Sequence, residues 1–295
     1  MERVSTGERT AADQLMVSDC SPDRALTERI LEVADEAGYR AALIDATDGS
    51  VTAWPRFART VRAAAAGLAR RGLAEGDTVG VFVQDAASAA IAVNAIRAAG
   101  GRPCLIRSDA GPADIADRLN ACAARVLITS APLAGLAAEG ADRSRVRQVI
   151  AFGDADGTTP FSSLLGSGRH SSSGWPPDGQ AVAEPGFADR SGPAHESGRP
   201  EGNGQTHERD LTDSGEPGSA GDLTYRDVVV AGPPCGDGPA YTSLLDLTLL
   251  AGATVVAAPV PLVAPALRVY KGTAAVVPPG TDVPGLEPAR IFAAG

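Results

Sequence analysis

TAWPRFARTVRAAAAGLARRGLAEGDTVGVFVQDAASAAIAVNAIRAAGGRPCLIR, residues Thr52 to Arg107, decides the fold because it alternates helix, strand, helix and strand. In its first part Phe57, Val61, Ala64, Ala65 and Leu68 recur at three- and four-residue steps, while Arg56, Arg59, Arg62, Arg70 and Arg71 fall mostly on the other side. That pattern predicts an amphipathic helix closed by Gly72. Gly76-Asp77 turns the chain into Thr78–Val83, which is apolar on both faces, as a strand covered by helices must be. Ala86 to Ala99 is small and apolar almost all round and reads as a buried helix, ended by Gly100-Gly101. Arg102 to Ile106 supplies the next strand. Strand, crossover helix and strand make one right-handed parallel unit, so the fold class is α/β, with layered parallel or mixed sheets and flanking helices.

Outward from this unit the same grammar continues. A tail to about residue 24 precedes a helix from Arg24 to Ala37, and Ala41–Asp45 with Val51–Ala53 reads as a hairpin around Asp48-Gly49. Towards the C-terminus come a helix from Pro112 to about Ala123, a strand Val126–Thr129, a short helix Ala131–Ala138 and a strand Val146–Phe152. From Gly166 to about Asp222 aliphatic residues nearly vanish and no period survives. Such a composition buries too little apolar surface to offset the entropy of ordering, so disorder is expected there. Order is expected again from Leu223: strands at Asp227–Ala231, Thr254–Ala258, Thr273–Val277 and Arg290–Ala293, with helices at Tyr241–Leu250 and Val263–Val269. The expected organisation is a tail (1–24), an α/β subdomain (25–165), a Gly/Ser/Pro-rich linker (166–222) and a second α/β subdomain (223–295).

Composition narrows the function classes. A net charge of −10 disfavours nonspecific nucleic-acid or anionic-membrane partners. Arginine carries nearly all the positive charge, since Lys271 is the only lysine. Abundant Ala, Gly and Arg are the mark of a GC-rich genome, so the Ala-rich helices carry no functional message. Cys20, Cys104, Cys122 and Cys235 are scattered without C-x-x-C spacing, which points to a reduced, cytoplasmic setting without structural zinc. The N-terminus lacks the apolar core of a secretory signal, and no apolar run reaches the roughly 20 residues of a membrane helix.

Several segments together resemble the N-terminal part of the adenylate-forming (acyl-CoA synthetase, AMP-binding) superfamily, 4-coumarate–CoA ligase-like members included. They are Ala42-Leu43-Ile44-Asp45, Thr52-Ala53-Trp54, Ala66-Gly67-Leu68 with Gly72-Leu73, Gly76-Asp77-Thr78-Val79, Ala95–Gly100 and Ala124–Thr129. Leu249–Pro259, Tyr270–Pro279 and Leu286–Gly295 continue the likeness, which covers roughly 40–165 and 223–295. The resemblance implies carboxylate activation with ATP, magnesium and coenzyme A. That chemistry needs a Gly/Ser/Thr loop and a cation to hold phosphates. Where the family has S-G-T-T-G-x-P-K-G, this chain has Asp213 to Thr224, in which Ser214, Gly215 and Gly218 can be matched. Glu216-Pro217 replaces the Thr-Thr pair and Gly221 stands at the lysine position; Glu216 repels a triphosphate and Pro217 offers no amide. The segment reads either as a degenerate phosphate loop or as a chance match in linker. Ser171–Gly179 is a second, weaker candidate, also without lysine.

By the same resemblance, the adenine strand, magnesium loop, ribose aspartate and C-terminal lysine domain would follow beyond Gly295. Lys271, before a core strand, reads as a solvated strand end rather than their substitute. The loop after Asp227–Ala231, where family members often carry an aromatic and a histidine, is here Pro233-Pro234-Cys235-Gly236-Asp237-Gly238-Pro239. Gly236-x-Gly238 lacks the third glycine of a dinucleotide loop and reads as an ordinary turn. His170 beside Ser171–Ser173 lies in the segment expected to be disordered, which cannot hold catalytic geometry. Cys104 and Cys122 read as structural thiols, and Asp109, Asp114 and Asp117 as helix-start and surface acids. The expectation is therefore an acyl-CoA synthetase-like protein without the catalytic apparatus, with no metal site and no bound cofactor, serving to bind a ligand or partner. ATP, magnesium and coenzyme A enter only if activity is retained. A second chain or a homo-oligomer would cover exposed sheet edges. The alternatives are half of a split acid–CoA or acid–AMP ligase completed by another chain, and a decayed gene product.

Overall fold

The computed structural model describes residues 22–166, 223–235, 240–286 and 290–293. The seven α-helices of these residues are α1 (Pro22–Glu36), α2 (Trp54–Arg70), α3 (Ala86–Ala98), α4 (Pro112–Ala121), α5 (Ala134–Asp142), α6 (Ala240–Leu250) and α7 (Val263–Val269). Their strands are β1 (Ala41–Asp45), β2 (Val51–Ala53), β3 (Thr78–Phe82), β4 (Arg102–Leu105), β5 (Val126–Ser130) and β6 (Gln148–Phe152), followed by β7 (Thr159–Pro160), β8 (Val228–Ala231), β9 (Thr254–Ala257), β10 (Ala274–Val277) and β11 (Ile291–Ala293). The α/β class expected from the sequence is what the chain adopts. The hairpin β1–β2 and helix α7 fall where they were expected. The short helix after β5 starts as a 3-10 turn and runs on to Asp142, and the two-residue strand β7 has no counterpart in the sequence reading.

Two sheets form. One has the order β11-β10-β8-β9-β1-β2 and the other β4-β3-β5-β6-β7. All pairings are parallel except β1 with β2, so the early hairpin joins a sheet whose other members all follow residue 227. Strand alternation decides what lies on each side. Val229, Val255 and Val276 share a core with α1, α2, α3 and α6, whereas Val230, Val256 and Ala275 pack with Val263, Ala266 and Leu267 of α7. In the second sheet Val79, Val81 and Ile128 face the same central layer, while Phe82 and Leu127 face Ile115, Leu119 and Ala137 of α4 and α5. The layers therefore run α7, first sheet, α1/α2/α3/α6, second sheet, α4/α5. A helix between two sheets has no solvent side. That explains why α3 is apolar all round, with Ile91 and Ile96 among the fully buried side chains.

The central helices carry their polar groups in pairs. Thr27 Oγ1 of α1 donates to Asn94 Oδ1 of α3 at 2.9 Å, and Arg97 Nη1 of α3 lies 2.6 Å from Asp246 Oδ2 of α6. Both partners of the second pair are buried, with side chains only 8% and 5% exposed. Close approach elsewhere relies on glycine: a Cβ on Gly67 of α2 would sit 2.3 Å from the backbone oxygen of Leu164.

Candidate functional site

The carboxyl ends of the parallel strands of both sheets come together at one end of the molecule. In the second sheet the chain runs from β3 outward to β4 through α3, then back across β3 to β5 through α4 on the opposite face. The connections thus diverge between β3 and β5, and the crevice beyond their carboxyl ends is where open α/β sheets place ligands. Gln84 and Asp85 follow β3 there, and Ser130 ends β5. The Gln84 backbone N–H donates to Ser130 Oγ at 3.2 Å, tying the two strand ends together.

Asp85 is the N-cap of α3: its Oδ1 accepts from the Ser88 N–H at 2.7 Å. Burial pushes the carboxyl up, Ser88 pulls it down through its hydrogen bonds, and the charge of Asp45 at the end of β1 adds to the rise. Those two aspartates, with Leu43, Thr52, Ser130 and Phe152, help line a cleft of about 260 Å³ between the hairpin and the second sheet.

The loop after β4 forms the next wall. Arg107 Nε and Nη2 each donate to a different carboxylate oxygen of Asp109 at 2.6 Å, and this fork lowers the Asp109 carboxyl below its ordinary value. Ser108 donates from both its backbone nitrogen and its hydroxyl to the carbonyl of Pro234, at 3.1 Å each. The loop after β8 is thereby fastened to the loop after β4 across the two sheets. Tyr241 at the start of α6 donates its hydroxyl to the Gly232 carbonyl at 2.7 Å. Its burial, reinforced by Asp85 and Cys235, pushes that hydroxyl well above its ordinary value, so it remains a neutral donor. Burial also raises the Cys235 thiol.

The electrostatic character of this end is acidic. The described loops beyond the carboxyl ends of the parallel strands, with the strand-end Asp45, contain Asp45, Asp48, Asp85, Asp109, Asp154, Asp156 and Asp282. Against them stand Arg107, engaged by Asp109, and Arg290 at the end of the β10–β11 connection, which lies 3.4 Å from Asp227 at the amino end of β8. The arrangement offers backbone amides, hydroxyls and carboxylates, which suits polar or cationic groups better than a run of phosphates. No group of three or more His, Cys, Asp or Glu that could hold a metal occurs among the described residues, and no described helix is long and apolar enough to cross a membrane.

The phosphate-loop candidates Ser214, Gly215 and Gly218 lie outside the described residues, as do Ser171–Gly179, the three histidines, Gly236 and Gly238. Lys271 sits exposed in the turn between α7 and β10, with φ 54°, at the amino end of its strand and away from the crevice. Asp109 flanks the site, while Asp114 opens α4 and accepts from the Gly111 N–H at 3.4 Å. Sequence reasoning did not single out Asp85, Asp45 or Ser130. For Asp85 a signal was present, since an aspartate between an apolar strand and an Ala-rich helix is a helix-start residue.

A family model described as AMP-binding enzyme matches residues 31–185. No curated protein gives a significant match. Among solved structures, the chain is similar to a long-chain-fatty-acid-CoA ligase from Archaeoglobus fulgidus, with TM-score 0.62 and 18% identity over 88% of this chain and 52% of that one. A benzoate CoA ligase from Burkholderia xenovorans gives TM-score 0.60 and 14% identity over 87% of this chain and 50% of the other. The N-terminal domain of FACL13 from Mycobacterium tuberculosis gives 0.59 and 14%, over 88% of this chain and 68% of that one. The chain thus spans about half the length of the first two ligases, and identities this low speak for the fold alone.

Proposed function

This chain belongs to the AMP-binding enzyme family, and on that premise we propose that it is a non-catalytic member, which binds a ligand or partner and does not activate a carboxylate with ATP. The observation that carries the reading is the charge of the strand-end face. Forming an acyl-adenylate places developing negative charge on phosphates, and that charge must meet pre-placed cations and amide donors. The described loops that would surround it hold seven aspartates, Asp45, Asp48, Asp85, Asp109, Asp154, Asp156 and Asp282, against Arg107, already forked onto a carboxylate, and Arg290, paired with Asp227. The sequence supports the same reading, because the best phosphate-loop match carries Glu216-Pro217 and no lysine. The cleft of about 260 Å³ on this face is lined by Asp45 and Asp85 and, among the described residues, by no Lys or Arg, which favours a polar or cationic group.

The test is ATP–pyrophosphate exchange by the purified chain across a panel of fatty, aromatic and amino acids. The expected result is exchange at the level of a protein-free control for every acid. Acid-dependent exchange clearly above that level would overturn the proposal.

A further inference from the structure

On the side away from the acidic face, a pocket of about 720 Å³ opens between β4, the end of α4 and α6, and two cysteines stand in its wall. Their approach follows from strand alternation. Leu105 faces the central layer and Ile106 the outer helices, so Cys104 turns its side chain towards α4. Cys104 is in register with Gly80 of β3. Leu119 Cδ2 lies 2.6 Å from where a Gly80 Cβ would be, so the missing side chain lets the last turn of α4 settle onto β3 and β4. Cys122, the C-cap of α4 and three residues beyond Leu119, is thereby brought against Cys104. Both thiols line the pocket together with the Arg118 side chain, and the Cys122 Sγ donates to the Leu119 carbonyl at 3.6 Å. Both are unbridged; Cys104 is buried and Cys122 half-buried.

We propose that Cys104 and Cys122 form a redox-active thiol pair that small hydroperoxides entering this pocket convert to an intramolecular disulfide. The half-buried Cys122 reacts first: its thiolate sulfur attacks the outer peroxide oxygen, the O–O bond breaks, and the departing hydroxide or alkoxide takes up a proton. Cys122 is left as a sulfenic acid. The Cys104 sulfur then displaces that hydroxyl, which leaves as water with the Cys104 proton, and the S–S bond forms. Two thiols and one hydroperoxide give one disulfide, one water and one further water or alcohol; the sulfurs lose the electron pair that the peroxide gains. The surroundings favour this order. The neighbouring Cys104 thiol draws the Cys122 thiol well below its ordinary value while its own is pushed up, and the positive charge of Arg118 steadies the Cys122 thiolate. The bridge would pin the end of α4 to β4 and remove both thiols from the pocket wall.

The experiment treats the full chain with stoichiometric hydrogen peroxide, alkylates remaining thiols with N-ethylmaleimide and maps the peptides by mass spectrometry. The expected product joins the Cys104 and Cys122 peptides, short of two hydrogens and separable by dithiothreitol. In Cys104→Ser, dimedone should instead trap a sulfenic acid on Cys122. Without peroxide at pH 7, Cys122 should be alkylated at least about tenfold faster than Cys235. The proposal fails if both thiols remain fully alkylatable after peroxide, or if bridges run through Cys20 or Cys235 instead. It also fails if Cys122 reacts no faster than Cys235. The wild-type mapping requires no variant to fold, so a poorly folded mutant does not protect the idea.

Discussion

Asp85 has two duties that its protonation state sets against each other. As N-cap of α3 it accepts from the Ser88 N–H, and as a half-buried, desolvated acid near Asp45 it holds its proton above the usual carboxylate range. The folded chain then keeps a proton that the unfolded chain has lost. Stability should therefore fall as pH rises from the ordinary carboxylate value through the raised one. Asp85→Asn keeps a capping oxygen and has no charge to bury. Urea unfolding should find this variant more stable than wild type at pH 7, with the advantage disappearing below about pH 4; an advantage unchanged with pH would contradict the argument. Asp85→Ala loses the cap and should forfeit part of that gain, since a missing cap costs about 0.5–2 kcal/mol. The buried pair Arg97–Asp246 allows a second prediction. Asp246→Ala leaves a guanidinium buried and should cost about 3–5 kcal/mol, whereas Arg97→Met with Asp246→Leu should be close to neutral. Arg97 Nε already lacks a partner, so the existing pair is incompletely compensated.

Elements pack where glycine allows it, and the same substitution should have opposite signs at two helical sites. Gly67→Ala would drive a Cβ into the Leu164 carbonyl at 2.3 Å, so α2 must shift from the turn it rests on. Despite a helix-propensity gain of about 1 kcal/mol, the net effect should be a loss of about 1–3 kcal/mol. Gly135→Ala in α5 meets nothing within 4 Å and should stabilise by about 0.5–1 kcal/mol. Paired thermal or urea unfolding checks both; equal signs would contradict the account. At this scale the sequence was readable, and the reasons are local. The period of Phe57, Val61, Ala64 and Leu68 is written along one helix, and Val79 to Val83 is apolar on both faces because both faces are covered. The 3-10 start of the Ala131–Leu133 segment and the two-residue β7 escaped because neither is long enough to express a period.

The whole molecule brings together residues that no local pattern connects. An apolar strand does not name its neighbour, so nothing in Ala41–Asp45 announced that β1 would pair with β9. The candidate site escaped for the same reason. Asp45, Asp85, Asp109 and Ser130 come from different strand ends, and Pro234 reaches Ser108 from across the chain. The thiol pair was legible only as two separate structural cysteines, because its contact depends on Gly80 letting α4 descend. The resemblance carried by the dispersed segments was readable because their order and spacing are properties of the sequence itself. An acidic strand-end face predicts weak or absent nucleotide binding even where the scaffold is intact. Titrating the folded chain with magnesium ATP in a calorimeter tests this most directly. No saturable heat is expected up to about 1 mM nucleotide, the upper end of ordinary substrate affinities, and saturable binding at micromolar ATP would overturn the acidic-face reading.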